Sequence, residues 1–128
     1  MSYSIEDIIK ECKEMQKFLE EPVSEEPDDL AGRLSLLNVY MARSGNLLAI
    51  AKNIQETDRR DAFEKKGSVI ADLSPSIASK FIECQTSEAN HLVNWLDRIN
   101  RSCVHQSDNL RTIFSFVKEN LKMTRNGY

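Results

Sequence analysis

Glycine, proline and long apolar runs are all scarce in this chain, and each scarcity excludes a class of protein. Four glycines and three prolines in 128 residues supply few of the tight turns that an all-β fold needs. No stretch approaches the roughly 20 apolar residues of a membrane-spanning helix. The opening MSYSIEDIIKECKE also lacks the basic start and apolar core of a secretory signal. We therefore expect a cytoplasmic protein without membrane association.

Cysteine and histidine are too few for a disulfide framework or a structural zinc site. The cysteines, Cys12, Cys84 and Cys103, are odd in number and widely spaced, and no C-x-x-C motif occurs. Only His91 and His105 could complete a zinc ligand set. Phosphate-binding glycine motifs and the common hydrolase motifs are also missing. We expect reduced cysteines, no metal, no cofactor and no enzymatic activity.

Charge is unevenly distributed along the chain, although the formal net charge is only −3. Residues 1–29 carry ten acids against three bases, whereas residues 30–128 carry ten acids against fourteen bases. A mildly basic body favours an anionic partner. It falls well short of the strongly basic surface that a dedicated duplex-DNA-binding protein presents.

Every sustained hydrophobic pattern in the chain has the helical period. The pattern predicts an all-α fold in one domain, residues 1–128, built as a bundle of two long antiparallel helices with two short helices alongside. The long helices are expected at about 29–66 and 88–122, and the short ones at about 5–19 and 75–85. Apolar seam exposed at the ends of such long helices favours self-association, so we expect a homo-oligomer.

Local signals predict where these helices begin and end. Ser4, with Asp7 three residues later, has the pattern of a capping box. Ser74 followed by Pro75 is typical of a helix start. Gly67 is expected to end the second helix.

A chemically rich stretch, NRSCVHQSDNLR at 100–111, interrupts the last helix. The spacing of its apolar neighbours places Cys103 and Gln106 on the core seam, and Ser44 is the polar residue on the seam of the other long helix. One interpretation is a small or polar layer inside the bundle that sets helix register or oligomeric state.

A second interpretation is an anion-binding face on the same helix. Arg98, Arg101 and His105 follow one another at spacings of three and four, so they share one side. Arginine offers a planar fork that suits phosphate. Arg43 would join this zone if the two long helices pair beside it. The full set of candidate ligand-binding residues is Arg98, Arg101, His105, Asn94, Gln106, Arg43 and Trp95.

A third interpretation assigns the same charges to ordinary ion pairs on the helix surface. Asp97 precedes Arg101 by four residues, and Asp108 precedes Arg111 by three. Such pairs contribute a few tenths of a kcal/mol. Cys103 and His105 are two residues apart and point to different sides, so they do not form a nucleophile–base pair.

The segment LVNWLDRINRSCVHQSDNLRTIFSFVKENL resembles the C-terminal helix of small helical proteins encoded by phages and mobile elements of Bacteroides-type bacteria. The shared positions are Leu92, Val93, Trp95, Asp97, Arg98, Ile99, Asn100, Arg101, His105, Gln106, Leu110, Arg111 and Thr112. The segment YMARSGNLLAIAK is similar in style, and the resemblance covers about half of the chain. It departs from the pattern at residues 102–104. It implies a phage-type protein acting in the host cytoplasm, and no particular activity.

Three functions fit these features. The first is a non-enzymatic homo-oligomer that binds an anionic, nucleotide-like ligand, for instance an anti-defence sponge that sequesters a nucleotide signal of bacterial immunity. The second is an accessory protein of phage DNA recombination or replication, which binds a protein partner or single-stranded DNA with strong salt dependence. The third is a purely structural helical oligomer.

Overall fold

The computed structural model describes residues 3–126, and these residues form four helices. The helices are α1 (Ile5–Leu19), α2 (Pro27–Ala71), α3 (Pro75–Gln85) and α4 (Ser87–Arg125). The predicted all-α bundle is confirmed, with two long and two short helices in the expected order. Between residues 3 and 126 there is no strand. None of the helices in that range combines the length and apolarity needed to cross a membrane.

The starts of three helices follow directly from local sequence. The Ser4 Oγ accepts a hydrogen bond from the Asp7 backbone N–H at 3.1 Å, and the Asp7 carboxylate accepts one from the Ser4 backbone N–H at 3.2 Å. The predicted capping box is therefore confirmed. Pro27 and Pro75 stand in the first turn of α2 and α3, where the missing N–H of proline would have no helical partner anyway.

The end of α2 agrees with the sequence prediction in part. Regular helical geometry is interrupted at Lys66, next to Gly67, where φ is −123° and ψ is 15°, but helical turns then resume and continue to Ala71. Ala62 and Ile70, on either side of the kink, are both buried, and this end of α2 contacts α3. Tertiary packing thus adds helical turns after the break that the glycine predicts.

The core lies along the antiparallel interface between α2 and α4, and α1 packs on α4 and on α2. Hydrogen bonds fix the antiparallel direction, because Gln55 bonds to Asn90, Ser44 to Asn100 and Arg33 to Gln106. The main buried cluster is Ile8, Cys12, Met15, Leu19, Leu30, Leu37, Leu47, Ala51, Leu92, Leu96, Ile99, Cys103 and Leu110.

A polar contact lies within the interface of α2 and α4, and it joins Ser44, which the sequence places on the seam, to Asn100, which the sequence interpretation did not include. The Asn100 side-chain amide donates to the Met41 carbonyl at 2.9 Å and to the Ser44 Oγ at 3.1 Å. Gly45 lies directly opposite, since a Cβ built there would stand 3.8 Å from the Asn100 Nδ2. The small residues of α2 therefore allow the close approach that the half-buried Asn100 makes.

The last part of α4 extends beyond the body of the bundle. Leu110 is the last buried residue, Phe114 and Val117 pack against the rim of the core, and residues 118–126 are all exposed. Ile113, which the sequence pattern places on the core seam, is 37% exposed. The apolar pattern of α4 continues in sequence to Leu121, but beyond Val117 neither α1 nor α2 packs against it.

Candidate functional site

Gln106 lies inside the fold, between α4, the end of α1 and the start of α2. Its side-chain amide donates to the Leu19 carbonyl at 2.9 Å, and its Oε1 accepts a hydrogen bond from the Arg33 guanidinium at 2.9 Å. Arg33 is 8% exposed and lies over the Phe18 ring, with its Cζ 4.3 Å from the ring centroid. Gln106 is thus committed to holding the three helices together, and a ligand would have to displace these bonds to reach it.

Arg43 binds to α1 and not to the polar face of α4. Its guanidinium binds the Glu11 carboxylate with two hydrogen bonds of 2.7 and 2.8 Å and also donates to the Tyr3 hydroxyl. The hydrogen bond to Glu11 raises the pKa of Arg43 above its usual value. The long helices do pair near Arg43, as expected, but its side chain turns to α1 and does not share a polar zone with Arg98 and its neighbours.

Three of the candidate residues do lie together, on the outer surface of α4. Asn94, Trp95 and Arg98 line an open hollow of about 500 Å³, and His91 completes the lining. We call this surface the α4 hollow. Its size lies within the range of small-molecule sites, although it is a surface depression rather than an enclosed cavity.

The aromatic residues give the α4 hollow a defined wall. The Trp95 indole N–H donates to the Gln16 Oε1 at 3.3 Å, which fixes the half-buried ring against α1. The His91 ring lies with its centroid 5.7 Å from that of Trp95, at an interplanar angle of 42°. This pair presents π surface to solvent, beside the exposed guanidinium of Arg98, which forms no ion pair with any residue from 3 to 126.

Arg101 and His105 lie on the same side of α4 but outside the lining of the hollow. The Arg101 Nε is 3.2 Å from the Asp97 carboxylate, so one of the two predicted surface ion pairs is confirmed. Asp108 and Arg111, both exposed, do not form the second pair. The Arg101 side chain remains 73% exposed. An exposed ion pair of this kind is weak, so an anionic ligand could replace Asp97 as the partner of Arg101.

Two of the three cysteines lie in the core, and the third lies on the surface. Cys12 and Cys103 are fully buried in the core, and Cys84 is exposed on α3. Burial raises the pKa of Cys12 to about 11 and raises that of Cys103 as well, so neither is a thiolate near neutral pH. Across residues 3–126, no group of three or more metal-binding side chains comes together.

Sequence reasoning missed two residues of these sites. His91 lies four residues before Trp95. This spacing places both rings on one helix face and is the sequence signal for their pairing. Arg33 stands between leucines in LAGRLSLL, and an arginine in such a setting usually extends its charge to solvent. Only the end of α1, which is distant in sequence, explains its burial.

Comparison of the chain with protein-family models, with curated proteins and with solved structures gives no significant match. The resemblance to phage-encoded helical proteins therefore stays a prediction. Function has to be argued from the geometry of the chain itself.

Proposed function

We propose that this chain is a non-enzymatic binding protein that holds a small anionic, nucleotide-like ligand in the α4 hollow. One observation carries the proposal: the exposed and unpaired guanidinium of Arg98 stands beside the ring pair of His91 and Trp95. Guanidinium suits a phosphate, an indole face suits a nucleobase, and the Asn94 amide can bond to the edge of a base or to a sugar hydroxyl.

The neighbouring residues on α4 extend the same chemistry. Arg101 and His105 lie one and two turns further along the helix, where they would meet additional phosphates of a longer ligand. The biological form of the proposal is a homo-oligomeric sponge that sequesters a nucleotide signal. That form depends on the phage-type resemblance, whereas the α4 hollow selects only for negative charge and a planar ring.

A purely structural oligomer is the second candidate function. Two features favour it: Arg101 is already paired with Asp97, and large apolar side chains near the end of α4 are exposed. Such a protein would need no ligand, and Arg98 would serve only to solvate the helix face.

The test begins with native mass spectrometry of the protein purified from cells, which reports any retained small molecule. Equilibrium binding then uses three probes: ATP, cyclic di-AMP and a short oligothymidine strand, at low and at physiological salt. We expect one of the nucleotides to bind and Arg98→Gln to weaken binding by about tenfold or more, because a charge-assisted hydrogen bond is lost.

Arg60→Gln is the matched control, since Arg60 is an exposed arginine of α2 without an ion pair. Equal binding by the Arg98 and Arg60 variants would overturn the assignment of the α4 hollow. Absence of both retained mass and nucleotide binding would favour the structural oligomer. Tight, salt-sensitive binding of oligothymidine alone would favour the DNA-accessory function.

A further inference from the structure

The end of α4 carries an apolar surface that the other described parts of the chain cover only at its base. We call residues 111–125 the α4 tail. Phe114, Val117 and Leu121 continue the spacing of three and four that buries Leu110 in the core. Leu121 is nevertheless 55% exposed, and Ile113, at the edge of the stripe, is 37% exposed. A helix with an apolar stripe of this kind normally packs against a partner.

A row of cations runs beside that stripe. Arg111, Lys118, Lys122 and Arg125 follow one another at spacings of seven, four and three, which places them on one side of the helix. All four are exposed, and none forms an ion pair with any residue in the 3–126 range. Glu119 is the only acid of the α4 tail.

The complementary charge lies at the base of the same tail. The segment EEPVSEEPDD, residues 20–29, comprises the connection between α1 and α2 together with the first turn of α2, and it contains six acids and no base. We call it the acidic loop. Its acids are exposed and form no ion pair with other described residues. The hydrogen bond between the Leu19 carbonyl and Gln106 holds the acidic loop beside the start of the α4 tail. Lys122 and Arg125 lie at the opposite end of the tail, away from the acidic loop of the same chain.

We propose that the α4 tail docks antiparallel against the α4 tail of a second copy of this chain. The tail is about 22 Å long at 1.5 Å per residue, so a partner tail laid along it in the opposite direction ends at its base. There, Lys122 and Arg125 of each copy meet the acidic loop of the other. The same patch then serves both copies, as a two-fold symmetric dimer requires.

The charges select this orientation over the parallel one. In a parallel pair, the terminal cations of both tails would lie together and both acidic loops would lie at the opposite end, which places like charges beside each other at each end. In the antiparallel pair, each cationic tip approaches an acidic loop. The apolar stripes pack in either case, so the ionic contacts decide the direction.

The interface is separate from the α4 hollow, and the two proposals can fail independently. Arg98 precedes Arg111, where the tail begins, by thirteen residues, a distance of about 20 Å along the helix. Ligand binding at the hollow is therefore measurable in a monomer, and dimer formation is measurable without ligand.

The test is sedimentation equilibrium over a range of concentrations, with two charge-reversal variants of the full chain. The loop variant carries Glu25→Lys and Glu26→Lys, and the tail variant carries Lys122→Glu and Arg125→Glu. We expect the wild type to dimerise, and each variant alone to dimerise at least tenfold more weakly. An equimolar mixture of the two should regain the dimer, because one of its two loop–tip contacts is native and the other is reversed at both ends.

Two further variants separate the interface from folding and from general charge effects. Leu121→Glu should give a monomer with unchanged helix content, because the side chain is exposed in the single chain. Lys52→Glu with Lys80→Glu makes the same charge change at exposed positions elsewhere and should leave the dimer intact. A wild type that stays monomeric at all concentrations would overturn the proposal, as would a mixture of loop and tail variants that dimerises no better than either alone.

Discussion

At the scale of single residues, Arg33 is a charged side chain buried in the fold. It is 8% exposed, and it has no carboxylate within ion-pair distance among residues 3–126. Its Nη2 donates to Gln106 and to the Leu19 carbonyl, at 2.9 and 3.4 Å, but its Nε has no partner. A buried charge held by so few groups is destabilising in itself, which makes each remaining contact important.

We therefore expect Gln106→Leu to lower the free energy of unfolding by about 3 kcal/mol, because Arg33 loses its main acceptor and the end of α1 loses a donor. Arg33→Met should cost less than about 1 kcal/mol, since a flexible apolar side chain fills the space without a charge to desolvate. In the double variant the two effects should be clearly less than additive. Urea denaturation of the four proteins measures the cycle, and additive losses would show that the two side chains act independently.

The polar residues show where sequence reasoning is strong at this scale and where it fails. The heptad pattern places Ser44 and Cys103 in the core, and both are fully buried. It also places Gln106 on the seam, but the partner that explains its presence, Arg33, belongs to another helix. Periodicity predicts which way a side chain faces along its own helix, whereas hydrogen-bond partners depend on a register between helices that no single-helix pattern contains.

At the scale of elements, the short helices α1 and α3 begin and end at the residues that the sequence predicts, whereas the long helices α2 and α4 extend beyond their predicted bounds at both ends. Ser4 and Pro75 act through their immediate neighbours, so the sequence alone predicts the first residues of α1 and α3. The predicted break in α2 is present at Lys66, next to Gly67, but helical turns resume beyond it and continue to Ala71, where this end of α2 contacts α3. A glycine favours termination only when packing beyond it does not stabilise another turn.

The kink at Lys66 leads to a prediction about that glycine. Gly67 does not have the positive φ that requires glycine, and a Cβ added there would meet nothing within 4 Å. Gly67→Ala should therefore raise the free energy of unfolding by about 0.5–1 kcal/mol, because alanine loses less backbone entropy in a helix. The same holds for Gly32, which has equally open surroundings in the regular first part of α2.

Thermal or chemical denaturation of Gly67→Ala beside Gly32→Ala measures this effect. If Gly32→Ala raised the free energy of unfolding and Gly67→Ala lowered it, the kink would be shown to need a glycine next to it. Equal gains would show that packing between α2 and α3 alone maintains the bend.

The whole molecule is unequally stabilised along its length. The buried residues concentrate where α1, α2 and α4 meet, whereas α3 has no buried residue and the α4 tail has none after Leu110. Local opening requires less free energy where few apolar contacts must be broken. The order of local stability along the chain therefore follows from the tertiary arrangement. It does not follow from the sequence pattern, because α3 and the α4 tail have apolar stripes much like those of the core helices.

Hydrogen exchange should reveal this order, and it also connects the fold to the proposed dimer. The slowest amides are expected in α4 between Leu92 and Leu110 and in α2 between Leu30 and Ala51, and the fastest helical amides in α3 and the α4 tail. On raising the protein concentration, exchange in the α4 tail should slow because its apolar stripe becomes covered, while exchange in α3 should not change. Since α3 is equally exposed but has no part in the interface, it is the internal control. Concentration-independent exchange in the tail would count against the dimer, and equal slowing in both segments would indicate non-specific association.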